Sequence, residues 1–265
     1  MKYKIWLYTL CYNEMDILPF CVDYWVKLGV EKVIVFDNYS TDGSDKYLKK
    51  FPWIEVRKFN SGDGLNDIIH QNIKNRCWKE ANGRADYVIV CDCDEWLWSN
   101  DLETELDKMR NGNYNILGNK WYALTGDKPL EQVKNEYAKG DKFLHQILQR
   151  GYQQYINHQE HYHNLGKFLL IDPNKVDDIN WSVGQHILFG IKPTFNLYVS
   201  DKIFTFHLNK GFNEDYFVNR RIIMADRLSD MNKMYGMGVE YFTPEGKTRL
   251  EYRANKAKSI DVSEL

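Results

Sequence analysis

Between residues 4 and 98 the chain alternates short apolar runs with stretches of helical periodicity, and that rhythm limits the folds open to it. Residues 4–10, 32–36, 54–58 and 87–91 are of strand length and are bounded by polar or glycine-bearing turns. After the first run, Ile17, Leu18, Cys21, Val22, Trp25 and Val26 recur at helical spacing, with Asp16 as the expected N-cap, Pro19 in the first turn and Gly29 as the stop. Residues 44–51 predict a short helix, and residues 66–79 a longer one with Ile69, Ile73, Cys77 and Trp78 on one side. Strands and helices in this alternation predict an α/β fold whose mostly parallel sheet carries helices on both faces. Such sheets take their ligand outside the carboxyl ends of the strands. Polar residues gather at those ends: Asn13 and Glu14 after the first strand, Asp37 and Asn38 after the second, Asp92 and Asp94 after the fourth. Any one of them is an ordinary loop residue; together they outline a nucleotide crevice.

The fourth strand runs into Cys91-Asp-Cys-Asp-Glu95. If the extended backbone persists through Cys93, Asp92 and Asp94 point to one face and Cys91 and Cys93 to the other. Two carboxylates at a strand end make a hard-oxygen site for Mn²⁺ or Mg²⁺, and such a cation can hold a diphosphate. Asp-x-Asp is common by chance, and only its place after an apolar strand gives it weight.

The charge and composition exclude several classes. A formal net charge of −2 gives no global attraction for nucleic acid. No apolar run approaches the ~20 residues that span a bilayer, and residues 1–6 lead straight into a strand with no signal-peptide pattern. The five cysteines (Cys11, Cys21, Cys77, Cys91, Cys93) lack CxxC spacing and read as reduced thiols, so a cytoplasmic protein is expected. Dinucleotide-binding G-x-G-x-x-G and nucleophile-elbow G-x-S-x-G motifs are missing.

Beyond residue 98 the pattern loosens. Residues 101–110 predict an amphipathic helix and 113–118 a strand, while 119–145 are mixed and 151–165 are polar and aromatic without a period. Short strands are expected at 168–171, 187–189 and 203–206, and one helix at 213–235. The tail from Glu245 carries Lys247, Arg249, Arg253, Lys256 and Lys258. No linker or repeat interrupts the chain, so residues 1–265 are expected to form one domain: a regular half (1–110), a less regular half (111–240) and a basic tail (241–265). The cluster His158-Gln-Glu-His-Tyr-His163 matches neither H-E-x-x-H nor a zinc finger. It reads as a polar loop.

Four pieces of sequence carry a family resemblance. They are Thr9-Leu-Cys-Tyr-Asn-Glu14, Val33-Ile-Val-Phe-Asp-Asn-Tyr-Ser-Thr-Asp-Gly-Ser44, the stretch from Asn75-Arg-Cys-Trp through Val90-Cys-Asp-Cys-Asp-Glu-Trp-Leu97, and, more loosely, Val183-Gly-Gln-His186 with Thr205-Phe-His-Leu-Asn-Lys210. Together they resemble GT-A-fold glycosyltransferases of the family-two-like group, and the later half resembles a subgroup acting on bacterial surface polysaccharides. The resemblance implies Asn13 and Glu14 beside the nucleoside, Asp37 on the base or ribose of the donor, and Asp92 with Asp94 as the metal-binding pair. It also implies a C-terminal histidine as a further metal ligand, His207 first and His186 second, with Lys210 reaching the diphosphate. The expected donor is a nucleotide-sugar, UDP-linked first, with dTDP and GDP open. The expected acceptor is a saccharide or lipid-linked saccharide in capsule, lipopolysaccharide or O-antigen synthesis. The family's late Glu-Asp and Gln-x-x-Arg-Trp signatures are not recognisable, which leaves the general base and the stereochemical outcome open.

Sugar transfer needs a cation for the leaving diphosphate, and inversion also needs a carboxylate to take the acceptor's proton. Candidates for that base are Asp177, Asp178 and Asp127, with Glu160 and Asp172 beside them. Trp96, Trp98, Trp121 and Trp181 are candidates for stacking on sugar rings or, by default, core residues. If the acceptor is lipid-linked, the basic tail would hold the enzyme at the inner face of a membrane. The rival enzyme readings are a nucleotidyltransferase or a Mg²⁺ phosphohydrolase, and the rival outside enzymes is a nucleotide- or carbohydrate-binding module.

Overall fold

The structure, a computed structural model, describes residues 1–62, 64–154, 165–185, 196–208 and 211–265, with the backbone alone at 188 and 189. The chain divides into two compact units, each assembled from three separate segments. The first comprises Met1–Asn60, Ile68–Lys120 and Tyr155–Thr205; the second comprises Ser61–Asp67, Trp121–Gln154 and Phe206–Leu265.

The first unit is built on four parallel strands: β1 (Ile5–Cys11), β2 (Lys32–Asp37), β3 (Ile54–Lys58) and β4 (Tyr87–Asp92), in the spatial order β3-β2-β1-β4. All seven residues of β1 are buried. A parallel strand covered on both faces reads as a continuous apolar run, which is why Ile5-Trp-Leu-Tyr-Thr-Leu-Cys11 needs no alternation. Helix α1 (Leu18–Lys27) has Pro19 in its first turn, and Gly29 at φ 66° ends it. Asp16 does not cap it: the N-cap is Ile17 with no side-chain bond, and the amides of Ile17 and Leu18 donate instead to the carbonyl of Glu14. Next come α2 (Ser44–Leu48), then α3 (Asp67–Cys77) running into a 3-10 turn at Trp78–Ala81. One core cluster packs Trp6, Tyr8, Ile34, Val88 and Val90 against Trp78, Phe168, Ile171 and Trp181.

After Asp92 the backbone turns at Cys93 and Asp94 and re-enters a strand, β5 (Glu95–Trp98). The extended geometry expected through Cys93 is therefore replaced by a turn. Helix α4 (Leu102–Asn111) follows, with Asp101 accepting a bond from the Thr104 amide at 3.2 Å. Strand β6 is longer and later than expected, Ile116–Thr125.

In the second unit, residues 121–125 of β6 pair antiparallel with β7 (Arg150–Gln154), which pairs in turn with the strand at Ile260–Asp261. Between β6 and β7 (Arg150–Gln154) lie α5 (Leu130–Tyr137) and α6 (Leu144–Leu148). In the first unit β8 (Leu170–Ile171) pairs antiparallel with β4, and β9 (Asn180–Trp181) pairs with β10 (Leu188–Phe189). The long β11 (Leu197–His207) pairs with β5 and β6.

The single helix expected at 213–235 is two: α7 (Glu214–Arg227) and α8 (Asp230–Met234). Leu228 leaves the helix at ψ 126° because its neighbourhood is held from outside. The Leu65 amide donates to the Arg227 carbonyl at 2.6 Å, the Ser229 amide to the Leu65 carbonyl at 3.1 Å, and Asn232 exchanges bonds with Asp67. Helix α9 (Glu245–Ala257) and then β12 (Ile260–Asp261) complete the chain.

Candidate active site

Three strand ends in the first unit carry the polar residues picked out by sequence. Parallel pairing sets Cys11 of β1 beside Asp37 of β2, and Leu10 of β1 beside Asp92 of β4. Asp37 and Asp92 therefore flank β1 at two strand spacings, about 10 Å. The loop after β1 is tied to the loop after β2. Asn13, in the left-handed region at φ 53°, donates its amide to Ser40 Oγ at 2.9 Å and accepts the Thr41 amide at 2.8 Å. The Glu14 amide donates to Ser44 Oγ at 3.0 Å, the Met15 amide to Asp42 at 2.9 Å, and the Asn38 amide to the Cys11 carbonyl at 2.9 Å. Two loops that each need a wall are thus made into one.

Asp37 is fully buried. One carboxylate oxygen accepts the Ser40 amide at 3.1 Å and meets the Lys58 ammonium. The other, Oδ1, is buried with no hydrogen-bond partner among the described residues. A buried carboxylate oxygen left unmatched is costly, and such an oxygen can accept an N–H or O–H.

Asp92 lies between two lysines. Lys74 Nζ is 2.6 Å from its Oδ1 and Lys167 Nζ 3.8 Å from its Oδ2. Burial works to raise the Asp92 pKa, but the two ammoniums outweigh it and hold the carboxyl down at about 2. Lys167 also meets Glu95 Oε1, and Glu95 Oε2 accepts the Asp92 amide at 3.3 Å. Asp94, half-buried in the turn, completes a group of three carboxylates and two ammoniums. Among the described residues no three His, Cys, Asp or Glu side chains form a closed metal cage. Mg²⁺-type sites commonly use one or two carboxylates and take their remaining ligands from substrate phosphates. A turn with two aspartates at a strand end fits a cation of that kind.

The other candidates lie elsewhere. Residues 172–174 are tied to the start of β4, with Asn174 donating to the Ala85 carbonyl at 2.8 Å, at the opposite end of the strand from Asp92. Asp178, further along, is an exposed partner of Lys79 at 2.7 Å, and Asp177 is exposed. Neither is brought to the carboxylate turn. Asp127 and His207 belong to the second unit. Asp127 pairs with Lys256 beside a cavity of about 190 Å³ lined by Lys128, Leu148, Arg150 and Asp261. The His207 ring stacks on Trp121 at 5.3 Å, with Nδ1 3.5 Å from Gln154 Oε1. His186, Lys210, Glu160 and the histidines at 158–163 lie outside the described residues. Trp96, Trp98, Trp121 and Trp181 are all buried, as core tryptophans are.

Lys74 and Lys167 were not singled out from the sequence, although both leave a mark there. Lys167 is a lone cation in the run Leu165-Gly-Lys-Phe-Leu-Leu-Ile171, and Lys74 lies one turn before Trp78 on the inward edge of α3.

The family described as Glycosyl transferase family 2 matches residues 7–171, more than half of the chain's 265 residues, and the chain belongs to it. It is a glycosyltransferase. Among solved structures, the chain resembles S. aureus TarS 1–349 at 15% identity and a TM-score of 0.50, with 96% of this chain and 71% of that one covered. A second structure of S. aureus TarS aligns at 14% identity and a TM-score of 0.49, over 95% of this chain and 43% of that one. At such identity the likeness is one of fold, and it agrees with the expected GT-A architecture. No curated protein matches the chain.

Proposed function

We propose that this enzyme moves a sugar from a nucleotide-sugar donor, UDP-linked, to a saccharide or lipid-linked saccharide acceptor in surface-polysaccharide synthesis, with Mn²⁺ or Mg²⁺ held at the Asp92–Asp94 turn. The observation that carries the reading is the unmatched, buried Oδ1 of Asp37, about two strand spacings from Asp92. That separation suits a nucleoside whose base or ribose meets Asp37 while its diphosphate reaches the turn. Asn13, Glu14 and Asn38 form the wall between them. A divalent cation bound there supplies neutralisation of the charge that gathers on the departing diphosphate.

In the transfer, the acceptor hydroxyl oxygen bonds to the anomeric carbon. The bond from that carbon to the phosphate oxygen breaks, and the nucleoside diphosphate leaves with the electron pair. The hydroxyl proton passes to a base. Asp177, Asp178 and Asp127 have ion pairs or exposed positions that do not single one out, so the reading assigns no base and no stereochemistry.

No described helix is long and apolar enough to cross a membrane; a lipid-linked acceptor would be met at a membrane surface. The basic tail contributes less to such contact than its composition suggests: Arg249 and Arg253 pair with Glu214, Asp215 and Glu245, and Lys256 pairs with Asp127.

Calorimetric titration of UDP with Mn²⁺, with Mg²⁺ and with EDTA, on the wild type and Asp94→Ala, tests the donor site. Metal-dependent binding that is lost in the variant supports it, and UDP release from UDP-sugars with acceptors present then separates a transferase from a binding module. Binding of GDP or dTDP instead of UDP would change the carrier. No binding of any of the three would overturn the reading.

A further inference from the structure

One ammonium gathers the loop that follows β2. Parallel pairing puts Lys58, the last residue of β3, beside Asp37, the last residue of β2. The Lys58 ammonium meets Asp37 Oδ2 and lies 3.4 Å from Oδ2 of Asp45, in the first turn of α2. It also stands over the ring of Tyr39, 5.6 Å from the centroid. Asp37 and Asp45 bracket the loop, Tyr39 stands inside it, and a single side chain reaches all three.

Two features of that loop are costly. Tyr39 sits at φ 55°, in the left-handed region that a bulky side chain rarely enters, and it is 59% exposed. Asp37 is a fully buried carboxylate whose Oδ1 is unmatched among the described residues. Strain of the first kind persists only where the surroundings over-determine the shape, and it gathers at ligand clamps. A buried charge likewise needs a partner. Lys58 answers both needs at once. As a stability device it is poor: its side chain is 34% exposed, and ion pairs open to water contribute little. What the ammonium does fix is which oxygen of Asp37 is engaged. Oδ2 is taken by Lys58 and by the Ser40 amide at 3.1 Å, so Oδ1 is the one left over.

We propose that Lys58 is a positioning residue of the donor site: by holding Asp37, Tyr39 and Asp45 together it keeps the loop shaped to receive the nucleoside and leaves Asp37 Oδ1 for it. This rests on the reading of Asp37 as the residue that meets the donor's base or ribose. Lys58 touches no donor atom in this account. It acts through Asp37, so its effect vanishes when Asp37 can no longer serve.

The test is a double-substitution cycle read by calorimetry with UDP and Mn²⁺, or with GDP or dTDP where the wild type takes one of those instead. Lys58→Met should weaken nucleotide binding at least tenfold, and Lys58→Arg, which keeps the charge, should stay within threefold of the wild type. On an Asp37→Asn background the added Lys58→Met change should cost less than threefold, a coupling that a general loss of structure would not produce. Lys58→Gln takes the place of Lys58→Met throughout if the methionine variant lacks native circular dichroism. Wild-type affinity in the folded Met or Gln variant overturns the proposal, as do an equal loss in Lys58→Arg and full additivity in the double variant. Each of these leaves the donor reading standing, since the wild type binds. No nucleotide binding by the wild type overturns the donor reading and this inference together.

Discussion

The ring of His145 stacks on that of Phe206, with centroids 4.5 Å apart and planes 13° from parallel. His145 is fully buried, and burial lowers its pKa to about 3. A histidine depressed in the folded state contributes stability that is whole above its unfolded pKa near 6.5 and is lost as pH falls toward 3. Between pH 6.5 and 4 the loss should be about 2–3 kcal/mol. His145→Phe is expected to flatten this part of the profile, measured by thermal melts from pH 8 to 4. Equal acid sensitivity in the variant would remove His145 as the cause.

Asp37→Asn keeps the shape of the side chain but removes the charge opposite Lys58. Binding of UDP should weaken tenfold or more, because the oxygen proposed to accept from the donor becomes a weaker acceptor or is replaced by a donor N–H. Calorimetry on a variant with native circular dichroism is the check. Wild-type affinity would place the base or ribose elsewhere.

Gly64 stands where a Cβ would lie 2.1 Å from the carbonyl oxygen of Arg227. No rotamer relieves a clash with backbone, so Gly64→Ala should push residues 61–67 off the α7–α8 junction. A cost of roughly 2 kcal/mol or more is expected, read from urea unfolding. A loss below a few tenths would show that this junction yields easily.

The Tyr252 hydroxyl, on α9, donates to the Gly126 carbonyl at 2.5 Å and accepts the Gly126 amide at 3.3 Å. Tyr252→Phe leaves both groups buried without that partner, at a cost of about 1–3 kcal/mol. It follows that a chain ended at Glu245 would lose an anchor of the second unit along with its tail charges. Liposome flotation aimed at those charges therefore calls for substitutions of exposed Lys247 and Lys258 in the full-length chain, compared on anionic and neutral vesicles.

Strands β1, β2 and β4 are legible because burial writes them as near-continuous apolar runs, and β3, Ile54-Glu-Val-Arg-Lys58, as a short alternating one. Strand β7, Arg150-Gly-Tyr-Gln-Gln154, and the first half of β11, Leu197-Tyr-Val-Ser-Asp-Lys202, carry polar residues that period and composition cannot separate from loop. The break after Arg227 has no glycine or proline to announce it, since its cause is the clip formed by Leu65 and Asp67 far away in the chain. The site was read in the same uneven way. Asp37, Asp92 and the loop at Asn13 stand at strand ends, where sequence order alone brings them together. Lys74 and Lys167 come from a helix and from a segment 93 residues later (167 − 74), and only tertiary packing turns both toward Asp92.

Each unit is threaded from three stretches of chain, and the second contains both Ser61–Asp67 and the last sixty residues, Phe206–Leu265. On a ribosome delivering residues in order, the Asp67 that must clasp Asn232 waits, exposed, while 165 further residues are made. Such long waits favour slow, late assembly and transiently bare surfaces. The practical reading is for those who would cut or fuse this protein: no single cleavage point yields either unit as one contiguous piece, and a tag that hinders the final helix acts on Gly126, made 126 residues before its partner Tyr252.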